Sequence, residues 1–174
     1  MQFKGFHLRF GLSIVAMLFL IQLSSCRRQT SHSELFDEIV TDAKSGVFHG
    51  VELGEPLENV LKKEKRPPKH DDQWGYLFEY SLGEKKKYFL EYVCKNPKVR
   101  KVNAIVLNVY LEEKGEAAKL FTEFEMHLRQ LYGAADGSLG KLTWNQEEAN
   151  LTVALRMLDD KKSFSLNYVP ILPL

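Results

Sequence analysis

The apolar positions of this chain follow three different periods. Residues Phe10 to Leu23 form a nearly unbroken apolar run, interrupted mainly by Ser13 and Gln22. Leu35, Phe36, Ile39, Val40 and Ala43 recur at helical spacing, and Ser31-x-x-Glu34 before them reads as a capping box. Leu57, Val60 and Leu61 give a second short helix, with Pro56 in its first turn, where a missing N–H costs nothing. This helix stops before Pro67-Pro68. Ala117, Leu120, Phe121, Phe124, Leu128 and Leu131 form the longest stripe of period 3.6, predicting a helix over 116–132 closed by Gly133.

Between and after these helices the period drops to two. Trp74–Ser81, Tyr88–Lys95 and Val102–Leu111 are rich in aromatic and β-branched residues and read as three strands. Three more are centred on Leu142/Trp144, on Leu151/Val153/Leu155/Met157 and on Phe164/Leu166/Tyr168. The apolar tail Val169–Leu174 carries Pro170 and Pro173, which argues against a long strand there. The order predicts an α+β fold. Antiparallel meander sheets carry helices on one face, in two αβββ pseudo-repeats (about 50–113 and 114–170) preceded by an N-terminal helix.

The apolar run near the N-terminus has a different meaning. It follows Lys4 and Arg9, is shorter than the roughly 20 residues of a spanning helix, and ends in small residues. That is the pattern of a secretory signal peptide. Leu23-Ser24-Ser25-Cys26 resembles the lipobox of bacterial lipoproteins. The resemblance implies cleavage before Cys26, a diacylglycerol on its thiol and acylation, palmitate included, of the new amine. Two or three acyl chains anchor a protein stably, whereas one is marginal. The competing readings are an ordinary secretory signal with an incidental cysteine, or an uncleaved anchor. Residues 26–33 then form a polar tether and residues 34–174 a single domain. Arg27-Arg28 lacks the Asp that resembles an inner-membrane retention signal, which favours the outer membrane, facing the periplasm or the surface.

Removing residues 1–25 leaves 149 residues with 22 basic and 23 acidic side chains, too balanced for nucleic acid as the main partner. The balance is uneven along the chain. Val60–Lys101 holds 12 Lys/Arg against 6 Asp/Glu, and Val102–Asp160 holds 5 against 10. The basic stretch suits anionic headgroups or a charged partner, or is simply a solvated surface.

Phe48-x-Gly50-Val51-x-Leu53-Gly54-x-Pro56-Leu57-x-x-Val60-Leu61 resembles the entry motif of the SmpA/OmlA-type outer-membrane lipoproteins, a family that shares its fold with the β-lactamase-inhibitor protein. That resemblance implies a tight glycine turn, a short helix and an antiparallel meander. It also implies a protein partner: an accessory role in envelope assembly, or an inhibitor or immunity role. The helix at Leu35–Ala43 and the basic loop Lys62–His70 depart from the motif.

No chemistry-bearing motif points to catalysis, a cofactor or a metal. Glu123 and His127 are four apart on the long helix and read as a packed or solvent-edge pair. His70-Asp71-Asp72 reads as a solvated turn, and Ser138-x-x-Lys141 lies outside a helix. Cys94 reads as a small core residue. Binding is the better reading. Alternation assigns Trp74, Tyr76, Phe78, Tyr80, Tyr88, Leu90, Tyr92, Val106 and Tyr110 to one sheet face, and Leu77, Glu79, Phe89, Glu91, Val93, Ile105, Leu107 and Val109 to the other. Either Tyr76, Tyr80, Tyr88 and Tyr92 line a concave partner-binding surface with Lys85, Lys86 and Lys87 at its rim, or these tyrosines cover the core. A small-ligand or lipid carrier, with its pocket between the halves, is the alternative function. An enzyme built on His127 or His70 is the least favoured.

Overall fold

Alternation along each strand becomes three continuous apolar rows once the strands are paired. The computed structural model describes residues 32–40, 48–138 and 140–172. Its elements are α1 (Glu34–Val40), α2 (Leu57–Glu64), β1 (His70–Asp72), β2 (Gly75–Ser81), β3 (Lys87–Val93), β4 (Ala104–Tyr110), α3 (Lys114–Tyr132), β5 (Asp136–Ser138), β6 (Lys141–Gln146), β7 (Leu151–Met157) and β8 (Ser163–Pro170). All eight strands join one antiparallel sheet in the order β1-β2-β3-β4-β8-β7-β6-β5.

The first row across the sheet is Tyr76, Tyr92, Ile105, Tyr168, Val153 and Trp144. The second is Phe78, Leu90, Leu107, Leu166, Leu155 and Leu142. The third is Tyr80, Tyr88, Val109, Phe164 and Met157. All but Met157 are buried. Glu64 of α2 reaches the tyrosines of this face, Phe121 and Phe124 of α3 pack on Phe164, and Phe36 of α1 packs on Phe124. The other face carries half-buried side chains: Leu77, Glu91, Val106, Asn167, Ala154 and Thr143 in one row, and Glu79, Phe89, Asn108 and Ser165 in the next.

The sheet corrects several expectations. There is one sheet rather than several, and each half has an additional three-residue strand at its outer edge. His70-Asp71-Asp72 is one of these, β1, rather than a turn. Short edge strands present few open backbone groups to another chain. In β4 the facing is reversed. Ile105, Leu107 and Val109 join the tyrosine face, and Val106, Asn108 and Tyr110 the other. Trp74 stands in the turn before β2 and is half exposed. Ser33 caps α1, the Phe36 N–H donating to Ser33 Oγ at 3.3 Å, and Ser31 lies outside the described residues. Cys26, the residues before it and residues 41–47 lie outside the described residues.

Candidate functional site

The four tyrosines proposed for an open surface are buried, with Tyr92 fully so. The hydroxyls of Tyr76, Tyr80 and Tyr92 find partners inside the fold instead. Helix α2 ends at Lys65 in a left-handed conformation (φ 53°), and its last turn points Glu64 inward. The segment before α2 turns tightly, with the Val51 N–H donating to the Phe48 carbonyl at 2.9 Å and positive φ at His49 and Gly50. This turn brings His49 over the same spot. Tyr92 donates to Glu64 Oε1 and Tyr80 to Glu64 Oε2. His49 Nδ1 lies 3.0 Å from Glu64 Oε2 and 3.1 Å from the Tyr80 hydroxyl. The Glu64 side chain has no exposed surface.

Burial alone would push the Glu64 carboxyl up. The hydrogen bonds from His49, Tyr80 and Tyr92, with the charge of His49, outweigh it and hold the group below the ordinary 4.5. The same contacts act oppositely on the phenols. Burial first, and the Glu64 charge next or close behind, raise Tyr80, Tyr88 and Tyr92 well above the ordinary 10. Tyr88 stacks on Tyr80 with ring centroids 4.5 Å apart and planes within 1°. The Arg66 guanidinium sits 3.9 Å above the Tyr80 ring. Tyr76 accepts from Arg100 Nη2 at 3.3 Å. The cluster is thus a saturated acceptor set that pins α2 and the entry turn onto the sheet. Glu64 and His49 are 15 residues apart, and no local pattern joins them.

The lysines lie on the β2–β3 hairpin, away from any tyrosine-lined surface. Each meets an acid: Lys85 with Glu112 at 3.5 Å, Lys86 with Glu116 at 2.6 Å and Lys87 with Glu79 at 3.1 Å. Lys86 is held above its ordinary value, chiefly by its bond to Glu116.

The histidine and acid of the long helix are also engaged. Ser33 donates to Glu123, which is buried. His32 stacks on Phe36 at 4.2 Å and stands edge-on to His127 at 6.3 Å. Burial, then the neighbouring His32, lowers the His127 imidazole below the ordinary 6.5. Among the described residues no three His, Cys, Asp or Glu side chains converge as a metal site. His70 pairs with Asp72 at 3.1 Å on the exposed edge. Ser138 and Lys141 are register partners closing the β5–β6 turn. Cys94 is buried, its thiol toward the Asn96 carbonyl at 3.1 Å.

Among the openings at the surface of the described residues is a groove of about 410 Å³ between α3 and the β5–β6 edge. Its floor is apolar, from Ala118, Phe121, Leu142 and Met157. Thr122, Ser138 and the Glu125–Arg129 ion pair (2.9 Å) supply a polar rim. Gly140 borders it, and a Cβ there would meet the Met157 Cβ at 3.5 Å. A floor of this kind with a few polar groups suits an apolar segment or small molecule held in one orientation. The sequence signal for it was the alternate face of the long stripe, 118-122-125-129, which reads as solvated surface until β5 closes beside it. Where the two halves meet, Ile105, Leu107 and Val109 pair directly with Tyr168, Leu166 and Phe164, and all six are buried. The seam itself is therefore packed.

In comparisons with known proteins, no family model, no curated protein and no solved structure matches this chain.

Proposed function

We propose that this chain is a lipid-anchored cell-envelope protein that works without catalysis as a protein-binding module, and that the groove between α3 and β5–β6 takes a segment of its partner. The observation that carries the reading is that groove: a half-open apolar floor with a polar rim, on a molecule whose aromatic sheet face is already sealed. Support for the anchor comes from the lipobox-like Leu23-Ser24-Ser25-Cys26. The element order supports the tandem-repeat reading. Each half supplies a helix, a short edge strand and three long strands, and the sheet runs outward from β4/β8 in mirror order. That layout, with the Phe48–Leu61 motif, is similar to what the SmpA/OmlA and β-lactamase-inhibitor resemblance implies. It keeps two roles in view, an envelope-assembly accessory and an inhibitor or immunity protein.

The test is site-specific photocrosslinking in the protein's own cells, with the probe at Thr122 or Ser138 and a control at Asn108 on the opposite sheet face. One protein captured from the groove and not from Asn108 is the expected result. Barrel-assembly components would select the accessory role, and a hydrolase or toxin the inhibitor role. Capture from Asn108 alone would move the site, and no capture from any position would overturn the binding reading. Cys26→Ser is expected to release the protein from membranes. A second reading rests on the groove's volume, which lies within the range of small-ligand sites. A co-purified lipid or small molecule in native mass spectra, lost in Gly140→Leu, would select that reading.

A further inference from the structure

The exposed apolar side chains are unevenly placed. The registers Gly75↔Val93↔Ala104 and Pro170↔Leu151↔Gln146 put the start of β2, the end of β3, the start of β4, the end of β8, the start of β7 and the end of β6 at one end of the sheet. The last turn of α3 is tied to that end by Trp144 Nε1 donating to the Gly133 carbonyl (3.0 Å) and Gln146 Nε2 to the Tyr132 carbonyl (3.3 Å). Among the described residues eight large apolar side chains are exposed. Five of them, Trp74, Val99, Leu131, Ile171 and Leu172, belong to this end, whereas Tyr110 stands at the other.

Their backbones are fixed. Asp72 Oδ1 accepts from the Trp74 and Gly75 N–H groups at 2.7 and 3.1 Å. Val99 and Arg100 both donate to the Asn96 carbonyl, at 3.0 and 2.9 Å. The Asn150 side chain accepts from the Leu172 N–H at 2.7 Å and donates to its carbonyl at 3.2 Å. The β3–β4 connection that carries Val99 also carries Lys95, Lys98 and Lys101, all exposed, and no acid. Acids flank this connection on both sides, Asp71 and Asp72 at the β1–β2 turn and Glu147 and Glu148 at the β6–β7 tip, so the basic cluster is local to the β3–β4 connection.

We infer that this end of the sheet is a docking surface for an anionic phospholipid bilayer. Val99, Ile171 and Leu172 enter the headgroup region, with Trp74 at its boundary, and Lys95, Lys98 and Lys101 meet lipid phosphates. Fixed apolar tips interspersed with lysines suit a fluid interface, where tryptophan is enriched and long cationic side chains reach the headgroups. The inference rests on the lipid-anchored reading, and the tether agrees with it. His32, the first described residue, lies against His127, which is five residues, or about 7.5 Å of helix rise, before Tyr132 at the docking end. Cys26 is six residues upstream of His32, and six extended residues reach about 20 Å. An acyl-bearing Cys26 therefore has the reach to bring this end to the bilayer.

The chain has two tryptophans, and the other, Trp144, is buried, so fluorescence reads the surface directly. The full lipidated protein would be reconstituted into phosphatidylcholine vesicles with and without phosphatidylglycerol, both carrying brominated acyl chains. Flotation with the vesicles reads the anchor, and quenching reads the docking. The expected result is flotation in both, with quenching of Trp74 emission that is stronger with phosphatidylglycerol and absent in Trp74→Phe. The Lys95→Gln/Lys98→Gln/Lys101→Gln variant, with unchanged Trp144 emission as the check on folding, loses the phosphatidylglycerol dependence. Leu172→Asp loses quenching in both lipids. Flotation with no quenching above the Trp74→Phe background overturns the docking surface and leaves the anchor standing. Failure to float overturns both. A crosslinked dimer through a probe at Val99, in place of quenching, assigns the surface to a second copy and also overturns the inference.

Discussion

The two halves of the sheet solve the same covering problem with different helices. In the second half α3 has 19 residues, about 28 Å of helix, and Phe121 and Phe124 of its apolar stripe pack on Phe164. In the first half α2 has 8 residues, about 12 Å. A helix that short cannot lie over the whole strand face. The uncovered width is filled by large amphipathic rings, and their hydroxyls are then obliged to find partners, because an unpaired buried hydroxyl is costly. Glu64, His49 and Arg100 supply them for Tyr76, Tyr80 and Tyr92. A short helix over a wide face thus turns a hydrophobic seal into a hydrogen-bonded one, with a different sensitivity to mutation and to acid.

The comparison is sharpest in stability measurements by urea unfolding. Trp144→Ala empties the largest fully buried site of the second half and is expected to cost about 4 kcal/mol, as other buried aromatic truncations do. Glu64→Leu leaves the Tyr80 and Tyr92 hydroxyls buried without an acceptor and is expected to cost about 3 kcal/mol. The triple change Glu64→Leu/Tyr80→Phe/Tyr92→Phe removes donors and acceptor together and is expected to recover most of that loss. If the triple variant is instead as unstable as the sum of its parts, packing rather than hydrogen-bond satisfaction holds the first half. Tyr92→Phe alone takes one donor from a charged acceptor and is expected to cost about 2 kcal/mol.

Acid separates the halves more gently. The folded state disfavours the His127 cation, so stability starts to fall as pH drops below the ordinary 6.5, where the unfolded chain takes up the proton first. Glu64 has its folded value depressed, so its contribution is complete above the ordinary 4.5 and is lost as pH falls through the lower folded value. Two shallow limbs are expected in a plot of unfolding midpoint against pH. Glu64→Gln should flatten the lower limb only. A lower limb unchanged in that variant would place the acid sensitivity elsewhere. The smallest effect belongs to Arg66→Ala, which removes an exposed cation from the Tyr80 face and is expected to cost about 0.5 kcal/mol.

Particular residues show what was legible. Strands β2, β3, β7 and β8 alternate in sequence as they do in space, because one face is sealed and the other only half-buried. Strand β4 reads Ala-Ile-Val-Leu-Asn-Val-Tyr, apolar at both parities, so its facing was assigned in reverse; only pairing with β3 and β8 fixes it. That reversal made the outer face read as more apolar than it is. The tyrosines were legible as a set sharing one face, with core cover as one of two readings; their acceptor was not legible, because Glu64 sits in the last turn of a helix far from them in the chain. The strands β1 and β5 are polar triplets with no period of their own. They exist because a longer neighbour offers them a backbone edge.

The sequence by itself determined the long helix and the six long strands, the antiparallel α+β class, the alternation of β2, β3, β6, β7 and β8, and the lipobox-like pattern ending at Cys26. Each of these depends on local periodicity or on composition within a short window. Tertiary structure alone decided that the halves form one sheet through β4 and β8, that Glu64 and His49 meet, that the tyrosines are sealed and the α3 edge left open, and that the exposed apolar tips gather at one end. These depend on contacts between residues far apart in the chain, where the energy of burying an acid or a hydroxyl is set by a partner that no local pattern identifies.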